Sequence, residues 1–278
     1  MRRKVEVAGV EAILYTTTAG KGVPVVFVAH GRGGSHDDNA VLCERLLEAG
    51  YTAISIEQRN HGKRLVEPLS NAAWDRGNSS HAVDMYGQVV GTAHDCSLLI
   101  DFLPTKFPEV SMDNGIGVCG VSQGGHLALS LLVNEPRVDV AVALIGAGDY
   151  ETNMRLRYSR LLKQHEERKT TAPPWHELWP ERLTTVVNKY DAICNLDRFG
   201  NRPCLLLNGA ADTLVPPASN AKLVAALREA GHYTGPAHRQ LQMVVYDGVG
   251  HSTPPPMISD AIGWFQAKLP AGRAAAKL

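Results

Sequence analysis

Short apolar runs alternate along the chain with stretches of helical periodicity. Continuous runs of this length are typical of parallel strands that helices cover on both faces. They lie at residues 24–29, 52–56, 115–120, 138–145, 204–207 and 241–246. Two shorter stretches, at residues 5–7 and 11–15, alternate between apolar and polar positions and predict an antiparallel pair at one edge of the sheet.

Helical periodicity fills the intervals between these strands. The pattern predicts helices at 39–49, 87–103, 126–133, 218–230 and 257–269. The buried faces predicted for the first two carry Val41, Leu42, Leu46 and Leu47, and Val90, Ala93, Leu98 and Phe102. Strands that alternate with helices imply βαβ units with right-handed crossovers. We therefore expect an α/β fold with about eight strands, mainly parallel, and helices on both faces.

The alternation stops between residues 149 and 198, where charged residues surround Pro173 and Pro174. We expect this insertion to be a cap between two parts of the core, 1–148 and 199–270, with a flexible tail at 271–278. Trp175 and Trp179 either line a substrate pocket in the cap or anchor the cap to the core.

Composition excludes several classes of protein. Of 278 residues 44% are hydrophobic, and 28 basic residues balance 28 acidic ones. An intrinsically disordered chain would be less apolar, and a nucleic-acid-binding protein would be basic, so we expect no nucleic-acid partner. The five cysteines form no C-x-x-C pair, which argues against a disulfide framework and a zinc site, and we expect no metal.

Targeting signals are not evident in the sequence. The basic start is followed by alternating residues and not by an apolar signal-peptide region. No apolar run approaches the ~20 residues that a membrane-spanning helix needs. We expect a cytoplasmic protein without a membrane span.

The strongest chemical signal is a G-x-S-x-G motif at residues 120–124. It follows a predicted buried strand and precedes a predicted helix, which is the context of a nucleophile elbow. In that turn Ser122 would point its hydroxyl away from the sheet. Because a serine hydroxyl is a poor nucleophile, a base must accompany it.

Two later strands offer the base and its partner. His251 follows the strand at 241–246, and Asp212 follows the strand at 204–207. The order Ser122, Asp212, His251 is the one expected for this architecture. Asp149 and Asp247 are the competing acids, and we favour Asp212.

An acyl-transfer site also needs hydrogen-bond donors for the oxyanion. One predicted donor is the backbone N–H of Gln123, which follows the nucleophile. The other is the backbone N–H of Arg32 in the glycine-rich loop at residues 30–34, with Gly33 as the alternative. The Arg32 side chain either reaches a substrate carboxylate or faces solvent, and we favour solvent.

Together these motifs resemble the α/β-hydrolase superfamily over about residues 11–269. The resemblance rests on the segments at 30–34, 57–62, 120–124, 212–216 and 250–251. The chain is similar to small serine esterases of the dienelactone hydrolase and prolyl-oligopeptidase-like group. This implies a Ser-His-Asp hydrolase of the α/β-hydrolase fold without metal or organic cofactor. Glu57 stands where such relatives usually carry Asp, in a segment that is structural in the family.

The functional expectation is a serine carboxylic-ester hydrolase for small or medium acyl esters, with a small-molecule ester as its partner. A thioesterase or a prolyl-oligopeptidase-like peptidase would use the same triad, so both stay open as alternatives. A lyase or a non-hydrolytic binding protein on the same fold are further alternatives. An edge strand gives a homodimer as one option, and nothing in the sequence demands it.

Overall fold

One sheet of eight strands organises the computed structural model, which describes residues 1–16 and 22–270. The strands are β1 (Arg2–Val7), β2 (Val10–Tyr15), β3 (Val25–Ala29), β4 (Thr52–Ile56), β5 (Ile116–Val121), β6 (Val140–Leu144), β7 (Cys204–Gly209) and β8 (Leu241–Tyr246). Their order across the sheet is β1-β2-β4-β3-β5-β6-β7-β8. The central strands β3 to β7 are buried at every position except the last residue of β5, which explains their continuous apolar runs.

Parallel pairing brings the carboxyl ends of the central strands together. β1 and β2 pair antiparallel with each other, β2 pairs antiparallel with β4, and every other pair is parallel. Ala29 at the end of β3 is in register with Gly120 of β5, and Leu144 of β6 with Leu207 of β7. The loops that follow these strands therefore meet at one edge, where ligands bind in open α/β sheets. The predicted eight strands and the antiparallel edge pair are confirmed.

Helices cover both faces of the sheet, as the sequence predicted. They are α1 (Ala40–Glu48), α2 (His81–Lys106), α3 (Gln123–Asn134), α4 (Tyr150–Glu167), α5 (Trp175–Leu178), α6 (Glu181–Tyr190), α7 (Ala218–Glu229) and α8 (Pro255–Lys268). On one face a core cluster contains buried residues of α2, α3 and α7, and on the other a second cluster contains residues of α1 and α8. Both α2 and α3 begin earlier than their apolar periodicity indicated.

The buried faces of α1 and α2 were predicted partly wrongly. Val41 is 68% exposed, Leu98 36% and Phe102 49%. On α2 the residues that pack against the sheet include Leu99 and Leu103, one position after each predicted one. Apolar residues occupy both sides of this helix, so periodicity alone did not identify the side that faces the sheet.

Residues 149–198 contain α4, α5 and α6. Tyr150, Met154, Trp179 and other residues of this segment form a third cluster with Ala82 and neighbouring residues of α2. The predicted tail at 271–278 lies outside the described residues. Within residues 1–16 and 22–270, no helix is long and apolar enough to cross a membrane. The same ranges contain no group of three or more His, Cys, Asp or Glu residues arranged to hold a metal ion.

Candidate active site

The turn between β5 and α3 holds Ser122 in a strained backbone conformation, with φ 56° and ψ −112°. The two glycines of the motif permit this turn, because a side chain at either position would collide with neighbouring backbone atoms. A Cβ on Gly120 would lie 2.2 Å from the carbonyl oxygen of Gly124, and one on Gly124 would lie 2.2 Å from that of Ala29. A positive φ at a non-glycine residue costs about 1–3 kcal/mol and persists only where the surrounding structure enforces it. The close packing of strand and helix supplies that enforcement.

Three side chains from three loops form one hydrogen-bond chain. The Nε2 atom of His251 lies 2.9 Å from Oγ of Ser122, and its Nδ1 atom lies 2.7 Å from Oδ2 of Asp212. The other carboxylate oxygen, Oδ1, accepts hydrogen bonds from the backbone N–H groups of Leu214 at 2.8 Å and Val215 at 2.9 Å. The structure therefore brings together the three residues that the sequence singled out as nucleophile, base and acid.

The charge of Asp212 is stabilised where it lies. Burial by itself would raise the pKa of this carboxyl, but hydrogen bonds from His251, Val215 and Leu214 outweigh burial and lower the pKa below its ordinary value. An ionised carboxylate accepts the Nδ1–H of the imidazole and leaves Nε2 free to accept the serine proton. This arrangement can activate a serine hydroxyl.

Main-chain hydrogen bonds fix the distance between the loops that carry Asp212 and His251. The backbone N–H of Ala210 donates to the carbonyl of Tyr246, and that of Ala211 to the carbonyl of Val249, both at 2.9 Å. A Cβ on Gly209 would lie 2.3 Å from the Val249 carbonyl oxygen, so only glycine permits this approach. The separation of acid and base is thus set by backbone contacts.

The competing acids occupy other positions. Asp149 caps the N-terminus of α4, accepting from the Thr152 N–H at 3.0 Å, and pairs with Nζ of Lys222 at 2.7 Å. Asp247 is exposed on its loop. Of the acids considered from the sequence, Asp212 is the one hydrogen-bonded to the imidazole.

The glycine-rich loop after β3 passes close to the nucleophile. A Cβ on Gly31 would lie 3.7 Å from Cβ of Ser122, and Arg32 and Gly33 follow directly. Gln123 is the first residue of α3, so its N–H has no partner within the helix. The loop that contains Arg32 and the first residue of α3 therefore both lie near Ser122, and the role of their N–H groups as oxyanion donors stays a prediction.

A buried amide network supports this loop, and sequence reasoning missed it. The Gln58 amide donates to the carbonyl of His30, and the Gln58 backbone N–H donates to Nε2 of His30 at 3.2 Å. The Gln123 side chain donates to Oε1 of Gln88 at 3.1 Å and to Oε1 of Gln58 at 3.4 Å. The signal available in the sequence was the presence of polar residues directly after buried strands.

Trp175 and Trp179 stack on one another, with ring centroids 5.3 Å apart and an interplanar angle of 12°. Trp179 is 5% exposed and lies in the third core cluster, 5.8 Å from the ring of Tyr150. Trp175 contacts the ring of Trp74 at 6.3 Å. These contacts attach the 149–198 segment to the core, and a role for the two rings in substrate binding stays a prediction.

A small cavity of about 70 Å³ opens beside the triad loops. Its polar walls include three arginines and a histidine: Arg32, Arg157, Arg160 and His81. Leu214, two residues after Asp212, also lines it. Sequence reasoning singled out Arg32 alone among these. For Arg157 and Arg160 the available signal was their spacing of three residues, which places both on one face of a helix.

Comparison with known proteins agrees with this architecture. Residues 100–263 match the family described as BAAT / Acyl-CoA thioester hydrolase C terminal. The esterase YjfP of Escherichia coli (strain K12) is 22% identical over 251 residues, which cover 89% of this chain and 90% of the relative.

Solved structures give the same picture. TT1662 from Thermus thermophilus superposes with a TM-score of 0.74 at 19% identity, covering 97% of this chain and 98% of its own. The Pyrococcus furiosus esterase Pf2001 superposes with a TM-score of 0.63 at 17% identity, covering 97% and 93%.

The solved structures confirm the predicted α/β-hydrolase fold, and the family match and the esterase relative confirm the prediction of a hydrolase enzyme. The family match spans more than half of the chain and includes Ser122, Asp212 and His251. The chain belongs to the BAAT / Acyl-CoA thioester hydrolase C terminal family.

Proposed function

We propose that this protein is a serine ester hydrolase that cleaves small or medium acyl esters through an acyl-enzyme intermediate. The observation that carries the proposal is the continuous hydrogen-bond chain from Asp212 through His251 to Ser122, with separations of 2.7 Å and 2.9 Å. The relatives named as esterases support the choice of an ester as substrate.

In the first half-reaction Nε2 of His251 takes the proton of the Ser122 hydroxyl as Oγ bonds to the carbonyl carbon of the ester. The negative charge that develops on the carbonyl oxygen is stabilised by the backbone N–H of Gln123 and that of Arg32. Asp212 stabilises the imidazolium. The carbon–oxygen bond to the alcohol then breaks, and His251 returns the proton to the departing oxygen.

In the second half-reaction water replaces the alcohol. His251 removes a proton from water, the hydroxide attacks the acyl carbon, and the same N–H groups hold the oxyanion. The bond between that carbon and Oγ breaks, and the proton on His251 restores the serine hydroxyl. The net reaction consumes one ester and one water and yields an acid and an alcohol.

A second candidate is hydrolysis of thioesters, because the matched family description names acyl-CoA thioester hydrolases. The acyl-enzyme is shared, and the leaving group is a thiolate in place of an alkoxide.

We further propose that residues 149–198 act as a cap over the triad. From α4, Nε of Arg157 donates to the carbonyl of Leu214 at 2.9 Å, and the guanidinium of Arg160 donates to the carbonyl of Thr213. Both acceptors lie on the loop that carries Asp212, so the segment is tied directly to the site.

The test is hydrolysis of p-nitrophenyl acetate, butyrate and octanoate, with butyryl-CoA as the thioester arm. Ser122→Ala should lower kcat about 10⁶-fold, the loss expected when a triad nucleophile is removed. Ser159→Ala removes an exposed hydroxyl from α4 and is the matched control. A wild-type rate in folded Ser122→Ala refutes the mechanism. Saturable binding without product would instead indicate a binding protein, and cleavage without incorporation of water a lyase.

A further inference from the structure

The cavity beside the triad has an unusual wall, which we call the arginine cluster: Arg32, Arg157 and Arg160. Arg32 follows Gly31, whose Cβ position is 3.7 Å from Cβ of Ser122. The other two members extend from α4 and hold the loop after Asp212. The cavity therefore shares its walls with the loop that passes beside the nucleophile and with the loop that carries the acid.

Among the described residues, the carboxylates of Asp75 and Asp212 act on the cluster only from beyond ion-pair distance. Within residues 1–16 and 22–270, no carboxylate lies within ion-pair distance of any of its three guanidinium groups. The acidic residue that lines the cavity, Asp75, is exposed to solvent. Elsewhere the fold does pair such groups: Arg59 and Arg64 both reach Asp95, at 2.9 Å and 2.8 Å.

His81 adds a second mismatch, in hydrogen bonding. Nη1 of Arg32 lies 2.7 Å from its Nδ1 and 3.2 Å from its Nε2, and Nη1 of Arg157 lies 3.1 Å from the same Nε2. Burial and the charges of these two arginines lower the pKa of His81 well below its ordinary value, so the ring is neutral. A neutral imidazole has one acceptor nitrogen, and its other nitrogen carries a proton. That one acceptor serves both guanidinium groups, whose other acceptors are the carbonyls of Ala72 and Leu214, so the cavity wall holds more donors than acceptors.

Arg157 remains charged although its surroundings oppose the charge. Burial, followed by the charge of Arg32, lowers the pKa of its guanidinium to about 10, still above neutral pH. A cation that is taken partly out of water, as Arg157 is, costs free energy unless an anion compensates it. An acceptor-only group with negative charge would satisfy both the charge and the surplus of donors.

We propose that the arginine cluster binds an anionic oxygen group of the substrate, a carboxylate or a phosphate, while Ser122 attacks the ester bond of the same molecule. The inference rests on the proposed ester hydrolase function and names its substrate class as esters with a negative charge. The cavity, with a volume of about 70 Å³, has room for such a group, since one water takes up ~30 Å³ of liquid.

The test compares two esters of equal chain length, p-nitrophenyl hexanoate and the mono-p-nitrophenyl ester of adipic acid, which ends in a carboxylate. The wild type should favour the adipate ester about tenfold in kcat/KM, because charge-assisted hydrogen bonds to guanidinium are among the stronger ones. Arg157→Gln and Arg160→Gln should bring this ratio close to one, and Arg157→Lys should retain part of the preference. Because both esters are measured with the same variant, a general loss of activity does not change the ratio of their kcat/KM values.

Lys163→Met is the matched control, since it removes one positive charge from an exposed position of α4 that does not line the cavity. It should leave the ratio unchanged. A wild type that cleaves the hexanoate ester but shows no preference for adipate overturns the inference and leaves the esterase proposal standing. The same holds if the preference survives in Arg157→Gln and Arg160→Gln.

If neither ester is cleaved, the esterase proposal fails and binding tests the inference by itself. Calorimetric titration of Ser122→Ala with adipate and with inorganic phosphate should show binding that Arg157→Gln removes. Phosphate alone would assign a phosphate-bearing substrate, and adipate alone a carboxylate-bearing one. Absence of binding by both anions at millimolar concentration overturns the inference.

Discussion

Replacement of Asp212 by asparagine puts an NH₂ group in place of one carboxylate oxygen and removes one negative charge. The carboxylate uses Oδ1 for two backbone N–H groups, at 2.8 Å and 2.9 Å, and Oδ2 for His251. The single oxygen of the introduced side chain will stay with the two backbone donors, because an NH₂ group in its place could not accept from them. The new NH₂ group then points at Nδ1 of His251.

The substitution therefore changes which nitrogen of the imidazole carries the proton. A donor at Nδ1 requires that nitrogen to accept, so the ring proton moves to Nε2, which faces Oγ of Ser122 at 2.9 Å. In that form the histidine cannot take the serine proton. In the Ser-His-Asp template the same substitution lowers kcat about 10⁴-fold, which corresponds to roughly 5.5 kcal/mol of lost transition-state stabilisation. We expect a loss of that size in kcat with KM nearly unchanged.

The assay is p-nitrophenyl butyrate hydrolysis at neutral pH, with circular dichroism to verify folding. Asp247→Asn is the matched control, because it makes the same chemical change on the exposed loop that carries His251. It should keep wild-type activity. A folded Asp212→Asn variant within tenfold of wild type, or an Asp247→Asn variant that loses as much activity as Asp212→Asn, refutes the reasoning.

Two further predictions concern stability. Gly120→Ala should fail to fold or lose more than about 3 kcal/mol of stability, because its Cβ would lie 2.2 Å from a backbone oxygen. Gly263 has open space around it in α8, so Gly263→Ala should gain about 0.5–1 kcal/mol of stability. Thermal melts of both variants check this pair, and equal effects would contradict it. Burial raises the pKa of Asp191 from 3.8 to about 8, so the native state retains a proton that the unfolded chain releases, and stability falls as pH rises between those values. Asp191→Asn should therefore melt increasingly above wild type as pH approaches 8, and parallel melting profiles across that range would contradict the assignment.

The sequence predicted the sheet well, because the strands that carry the site are buried on both faces and their short apolar runs are bounded by glycine-rich and polar turns. The buried face of α2 was harder to predict. Its apolar residues lie on both sides, and the choice between Leu98 and Leu99 depends on the neighbouring strands.

The candidate triad was predictable because each member follows a strand end, and the chain order of such loops limits the choices. The arginine cluster was not. Arg32 and Arg157 lie about 125 residues apart in the sequence, and only tertiary packing places both beside His81. Pattern reasoning also favoured solvent for the Arg32 side chain, since exposed arginines are the common case.

The main-chain bonds from Ala210 and Ala211 to the loop after β8 divide the site into two parts with different tolerance for mutation. The contacts that set the distance between Asp212 and His251 involve backbone atoms and one glycine, Gly209, so any chain that keeps the fold and this glycine can keep the distance. The cavity wall depends on side chains alone. Over evolutionary time a lineage can therefore exchange the charges of the wall, and with them its substrates, while the reacting groups keep their positions. The same division favours this chain as a starting scaffold for engineered hydrolases, with diversity introduced on α4 and in the loop after β3.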